Sequence, residues 1–188
     1  MVGAILAGGA GRRIGGDKAA RRLGERALAD YPAAALAEVC ERVALVCKPD
    51  TALPDGWAWE VWDGEPAEPR HPAAGIAYAL KRAGEPILVC AADMPFVTAS
   101  ECRRLTAAYE DGDVAAAVAA CAGEVQPLLG LYSKAAVRPL QDAAEASAPL
   151  RAAVISLRPR LVELPPAALE SIDTPEALSR ATRALRAR

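Results

Sequence analysis

A chain of 188 residues that is 53% hydrophobic and 24% charged has the composition of a single globular domain, residues 1–188, with a sizeable core. Its net charge of −2 supplies no basic face of the strength that nucleic-acid binding needs, so nucleic acid is not an expected partner. No apolar run approaches the ~20 residues that span a bilayer, and the N-terminus lacks the charged start and apolar core of a secretory signal, so no membrane association is expected and the chain reads as cytoplasmic.

Val2 to Leu6 is a short apolar run that predicts a buried first strand, and it ends in Ala7-Gly8-Gly9-Ala10-Gly11-Arg12-Arg13-Ile14-Gly15-Gly16-Asp17-Lys18. Glycines let backbone N–H groups approach phosphate oxygens, and guanidinium and ammonium groups supply counter-charge, so this is a loop built to hold an anion. It is not a P-loop, because Lys18 follows Asp17 and precedes Ala19. Nor does it match the dinucleotide fingerprint, whose third glycine would fall where Ile14 stands.

Leu28 to Val39 predicts a helix with Asp30 as cap and Pro32 in its first turn, and Val43 to Cys47 a second buried strand. Trp57 to Trp62 alternates as a short strand ending near Asp63, and Gly64 to Pro72, with three prolines, reads as a surface loop. Ala73 to Ala83 predicts a helix that Gly84-Glu85-Pro86 breaks, and Ile87 to Ala91 is the clearest buried strand. Thr98 and Glu101 form a capping box for a helix with an inward stripe of Cys102, Leu105, Ala108 and Tyr109. Val114–Ala120, Val125–Tyr132 and Leu161–Leu164 read as strands, Lys134–Ala144 and Leu150–Ile155 as helices, and Thr174-Pro175-Glu176 opens a C-terminal helix. Strands alternating with helices imply right-handed crossovers and an α/β fold whose mostly parallel sheet is covered on both faces.

In such sheets ligands bind beyond the carboxyl ends of the strands, which gathers the loop after Leu6, the loop after Trp62, and Asp93. A carboxylate facing phosphates is what Mg²⁺ prefers, so Asp93 is the expected metal ligand, with a turn-forming role before Met94-Pro95 as the alternative. Asp173, before Thr174-Pro175, is a second metal candidate, with complementing the helix dipole as the alternative. Five scattered cysteines without metal-ligand spacing read as core residues. The sole histidine, His71, is expected to be solvated or hydrogen-bonded rather than catalytic, and the tryptophans are expected to pack.

The stretch Leu6-Ala7-Gly8-Gly9 through Arg13-Ile14-Gly15-Gly16-Asp17-Lys18 resembles the signature of nucleotidyltransferases, and most closely that of the molybdenum cofactor guanylyltransferases. The likeness extends over nearly the whole chain: Gly24-Glu25-Arg26-Ala27-Leu28, His71-Pro72-Ala73-Ala74-Gly75-Ile76, Asp93-Met94-Pro95, Pro127-Leu128-Leu129-Gly130-Leu131-Tyr132, Leu150-Arg151-Ala152 and Ile172-Asp173-Thr174-Pro175-Glu176 all look like family segments. The resemblance implies a Rossmann-like three-layer α/β/α domain of the nucleotide-diphospho-sugar transferase type. It places Leu6, Ala7 and Gly8 on the base and ribose side, with Gly9 and Gly11 in the same nucleotide-binding loop, and Lys18 on the phosphates, where Arg13 is expected to stabilise charge with it. It also puts Asp63 in the nucleotide pocket and Asp93 on Mg²⁺.

The implied substrates are GTP and a molybdopterin-type acceptor, with transient contact to molybdenum cofactor enzymes or chaperones. Gly8 favours GTP over CTP, because related cytidylyltransferases resemble Leu-Ala-Ala-Gly here. This chain departs from the pattern at Ala92, at His71, at Ser171 and at Cys47-Lys48, where the family often carries an asparagine near the base. Left open are CTP as donor and a cobinamide- or sugar-phosphate acceptor; a dinucleotide oxidoreductase and a non-catalytic adaptor are the more distant alternatives.

Overall fold

The computed structural model describes residues 1–7, 18–110 and 114–186. In chain order its elements are β1 (Val2–Leu6), the two-residue strands β2 (Arg22–Leu23) and β3 (Arg26–Ala27), α1 (Asp30–Ala37), β4 (Arg42–Val46), β5 (Glu60–Trp62), α2 (Pro72–Ala83), β6 (Ile87–Ala91), α3 (Ala99–Glu110), β7 (Ala116–Cys121), β8 (Glu124–Tyr132), α4 (Val137–Glu145), α5 (Leu150–Ser156), β9 (Arg160–Glu163) and α6 (Pro175–Arg186).

Seven strands form one sheet in the order β5-β4-β1-β6-β8-β7-β9. Only β8 runs against its neighbours, and every other pairing is parallel. The mostly parallel α/β sheet is therefore as expected, and the reversal at β8 is a local addition. Two residues, Ala122 and Gly123, join β7 to β8, and a link that short can only turn the chain back on itself. Both have positive φ, 51° and 79°, the handedness that suits a tight hairpin, and the Glu163 carboxylate accepts from their amides at 3.0 and 3.3 Å.

Successive strand residues serve opposite faces. Ile5, Val43, Leu45, Leu88 and Cys90 pack with Leu36 of α1 and with Cys102 and Leu105 of α3, whereas Val2, Ala4, Val46, Ile87 and Val89 pack with Ile76 and Leu80 of α2 and with Leu140 of α4. This burial on both faces explains the uninterrupted apolar runs. Gly3 lies so close under α1 that a Cβ there would stand 2.8 Å from Leu36 Cδ2. A smaller cluster of Leu23, Leu28, Ile172, Ala177 and Ala181 ties α6 to the β2–β3 hairpin, an element with no sequence signal beyond Gly24 at φ 65°.

Several boundaries move. The helix expected from Leu28 starts at Asp30, because the Asp30 carboxylate accepts from Ala27 N at 2.9 Å while Leu28 and Ala29 donate to the carbonyls of Arg21 and Ala19. Strand β5 is limited to Glu60–Trp62, since Trp57 and Trp59 pack edge to face, ring centroids 5.0 Å apart, and the Trp57 indole donates to the Glu60 carbonyl. The Lys134 segment begins as a short 3₁₀ turn capped by Ser133 before α4. The capping box holds: Glu101 accepts from Thr98 N, and Thr98 Oγ1 from Ser100 N. Among the described residues no helix is long and apolar enough to cross a membrane.

Candidate functional site

The carboxyl ends of β1, β4, β5 and β6 open into a cleft of about 470 Å³. Backbone bonds carry the strand register past the formal strand ends and fix this rim: Ala7 N donates to Val46 O, Cys47 N to Trp62 O, and Ala92 N to Leu6 O. Leu6, Ala7, Lys18, Lys48, Glu65, Asp93 and Asp173 are among the residues lining it.

Lys18 Nζ donates to Asp93 Oδ2 and to Asp173 Oδ1. Asp93 reaches this point from the end of β6. Asp173 is brought in from the far end of the chain by Ile172 N, which donates to Asp93 O at 2.9 Å. Thr174 then caps α6, its Oγ1 accepting from Ala177 N at 3.1 Å. Burial alone would push the Lys18 ammonium down, but the two carboxylates outweigh it and hold it above the ordinary lysine value. Asp93 Oδ1 is buried and, among the described residues, has no hydrogen-bond partner. An orphaned carboxylate oxygen beside a second carboxylate fits the donor set that Mg²⁺ takes when phosphate and water complete its shell. No cluster of three or more potential ligand side chains occurs among the described residues, so a divalent ion here would need the phosphates of a ligand.

The structure thus brings together Leu6, Ala7, Lys18, Asp93 and Asp173. Asp63 is exposed at the end of β5 and does not line the cleft. Gly8, Gly9, Gly11 and Arg13 lie outside the described residues. His71 lines the cleft and caps α2, its Nδ1 accepting from Ala73 N at 3.2 Å, in keeping with the expected hydrogen-bonded role. None of the tryptophans lines the cleft. Four cysteines are buried, and burial pushes the thiols of Cys40 and Cys102 up to about 12.

Sequence reasoning missed a second charged pair on the cleft wall. Lys48 and Glu65 are 3% and 6% exposed, with Lys48 Nζ donating to Glu65 Oε1 at 3.2 Å and to Pro66 O. Glu65 sits in the proline-rich loop and Lys48 just after a buried strand; no spacing links residues 17 apart across such a turn. It also missed Gln126 and Leu128, which reach the cleft because the β7–β8 register jumps from Val118↔Gly130 to Ala119↔Gln126. Pro127 lies in the resulting bulge, where its missing N–H is harmless, and its carbonyl accepts from the buried Tyr132 hydroxyl at 2.6 Å.

A mostly parallel sheet whose strand ends collect an ammonium between two carboxylates, the lysine directly following a glycine-rich stretch of the sequence, has the architecture of a nucleotide-binding α/β protein. Comparison with known proteins makes this specific: the model of the MobA-like NTP transferase domain matches residues 3–161, and the chain belongs to that family. It is 38% identical over 145 residues to a molybdenum cofactor guanylyltransferase of Cereibacter sphaeroides, covering 74% of this chain and 72% of that one. It is 34% identical over 139 residues to the enzyme of the same name from a Bradyrhizobium species, covering 70% and 66%. In fold it resembles the molybdopterin-guanine dinucleotide biosynthesis protein A of Archaeoglobus fulgidus, with a TM-score of 0.80, 24% identity and all of both chains covered. It also resembles the 2-C-methyl-D-erythritol 4-phosphate cytidylyltransferase of Thermus thermophilus, with a TM-score of 0.71, 21% identity and 97% and 98% of the chains covered. The chain is a nucleotidyltransferase.

Proposed function

We propose that this protein transfers GMP from GTP to the terminal phosphate of molybdenum-loaded molybdopterin and releases pyrophosphate. A phosphate oxygen of the acceptor attacks the α-phosphorus in line, the bond from that phosphorus to the β-phosphate oxygen breaks, and pyrophosphate leaves with the electron pair. The attacking phosphate is already anionic at neutral pH, so no general base is needed. The observation that carries the reading is the Lys18 ammonium held between Asp93 and Asp173 at the sheet edge; the guanylyltransferases among the relatives supply the base and the acceptor.

Positioning and charge neutralisation do most of the work in such a reaction. Lys18, once released from the carboxylates, swings toward the phosphates and neutralises charge there, a task the family signature also gives to Arg13. Asp93 and Asp173 would then hold Mg²⁺, which supplies further neutralisation of the triphosphate when bound. Leu6 and Ala7 offer backbone to the nucleoside. The setting is cytoplasmic, with transient hand-over of the product to molybdenum cofactor enzymes or chaperones.

The test is a thermal-shift panel of GTP, CTP, ATP and UTP with Mg²⁺, followed by pyrophosphate release with molybdopterin. Stabilisation by GTP above the others and acceptor-dependent pyrophosphate support the reading; stabilisation by CTP alone, or nucleotide binding without pyrophosphate release, overturns it.

A further inference from the structure

Lys48 and Glu65 are the two charged residues that are more than nine-tenths buried among the described residues, and both face the nucleotide cleft. A buried ion pair roughly breaks even against a well-packed apolar pair, so folding alone gives little reason to keep one on a cavity wall. The pair is also incompletely used. Lys48 has three N–H donors, and the described residues give it two acceptors; Glu65 has acceptor capacity for about four hydrogen bonds and receives one. Gly75, in the opening turns of α2, packs beneath the carboxylate: a Cβ there would stand 3.4 Å from Glu65 Oε1 and 3.6 Å from Oε2. The carboxylate is therefore fixed from below by α2 and from one side by Lys48.

The order β5-β4-β1-β6 locates the pair relative to the phosphate end. Asp93 follows β6, Lys48 follows β4 and Glu65 follows β5, so the two charged clusters lie on opposite sides of β1. At about 4.8 Å per strand they are separated by roughly 10–14 Å along the rim, with Leu6 and Ala7 between them. A nucleotide whose phosphates meet Lys18 and whose ribose crosses the end of β1 brings its base to this pair.

We propose that Lys48 and Glu65 read the pairing edge of guanine, the Glu65 carboxylate accepting from N1–H and from the 2-amino group and the free Lys48 proton donating to O6. This deepens the guanylyltransferase reading and rests on it. Guanine presents acceptor, donor, donor along that edge, and an ammonium beside a carboxylate presents the complement. Cytosine and adenine place an acceptor nitrogen where the carboxylate would have to lie, and a buried carboxylate facing a lone pair is heavily disfavoured.

The test is calorimetric binding of GTP, ITP and XTP with Mg²⁺ to the wild type and to Glu65→Gln. ITP lacks the 2-amino group and should bind the wild type roughly 10- to 100-fold more weakly than GTP, the worth of one hydrogen bond to a charged group. XTP, which carries an oxygen at that position, should bind weakest. In Glu65→Gln, the amide keeps an acceptor for N1–H but turns a donor toward position 2, so XTP should tighten by about 10-fold or more while GTP weakens by a similar factor. Gain of XTP binding cannot arise from misfolding. Equal affinities of the wild type for GTP and ITP, or a uniform loss of all three nucleotides in Glu65→Gln, overturn the assignment of the base edge and leave the transferase reading standing. No binding of any nucleotide to the wild type would overturn the transferase reading, and this assignment with it.

Discussion

Replacing Lys18 by methionine keeps an unbranched stem and removes the charge, so its two consequences separate cleanly. The Lys18 and Asp93 side chains are 16% and 14% exposed, which places their pair between exposed ion pairs, worth up to ~1 kcal/mol, and fully buried ones, whose rupture costs ~3–5 kcal/mol. The pair with Asp173 adds little, because that side chain is 56% exposed. A loss of about 2 kcal/mol follows, and for a chain of this size it lowers the melting temperature by roughly 4–8 °C. A positioned cation in phosphoryl transfer contributes roughly 10³–10⁵ in rate, about 4–7 kcal/mol, so the catalytic defect must far exceed the stability defect. Two carboxylates left without their ammonium should also bind Mg²⁺ more tightly than in the wild type. Thermal melts across a Mg²⁺ titration, without nucleotide, should show a larger stabilisation in Lys18→Met. Pyrophosphate release within tenfold of wild type would refute the role of Lys18, and identical Mg²⁺ responses would refute the idea that its ammonium stands where a divalent ion belongs.

Other expectations follow from single features. Tyr132→Phe leaves the Pro127 carbonyl without its 2.6 Å donor inside the bulge that carries Gln126 and Leu128, so chemical denaturation should show a loss of about 1–3 kcal/mol. Thiol titration of the native protein at neutral pH should find one quickly reacting group, Cys121; Cys40, Cys47, Cys90 and Cys102 are buried, and burial pushes the thiols of Cys40, Cys47 and Cys102 up to about 12, 11 and 12. Burial raises the Glu65 carboxyl above the usual glutamate range, with Lys48 only partly opposing it and the neighbouring Cys47 thiol neutral. Guanine reading needs the ionised form, present above that raised pKa. GTP affinity should therefore fall on acidification at a higher pH than an exposed glutamate would give, and Glu65→Gln should flatten the profile.

Much of this molecule was legible because burial on two faces leaves a plain trace. β1 and β6 are apolar runs without interruption, and each matches its expected span to the residue. Asp93 could be placed at the same rim as the end of β1 from the rule that ligands bind beyond the carboxyl ends of parallel strands, and the pairing of β1 with β6 puts it there. Asp173 was harder, because its arrival depends on tertiary contacts, the backbone bond from Ile172 to Asp93 and the packing of Ile172 against Leu23 and Leu28. The reversal at β8 was written only in the short gap between the strands expected to end at Ala120 and to begin at Val125, because its turn is Ala122-Gly123 and an alanine at φ 51° carries none of the usual hairpin signature. Lys48 and Glu65 were invisible for a different reason. A lysine after a strand and a glutamate among prolines each look like solvated charges, and only their burial and mutual hydrogen bond in the fold show otherwise.

The two charged clusters on the rim differ in rigidity, and that difference divides the labour. Lys48 and Glu65 are locked by burial, by the Pro66 carbonyl and by α2, so a base that fits them is held in one orientation. Lys18 lies at the junction of the glycine loop with a turn, and one of its two partners, Asp173, is more than half exposed, so its ammonium can exchange carboxylates for phosphates. A rigid base end and an adjustable phosphate end assign recognition of guanine and alignment of the α-phosphate to different residues. Kinetically the split should be visible: substitution at Glu65 removes binding common to ground and transition states and raises KM for GTP, whereas substitution at Lys18 removes charge neutralisation concentrated in the transition state and lowers kcat. If Glu65→Gln instead lowered kcat at saturating GTP with KM unchanged, the carboxylate would belong to the chemistry, and the separation of recognition from catalysis along the sheet edge would fail.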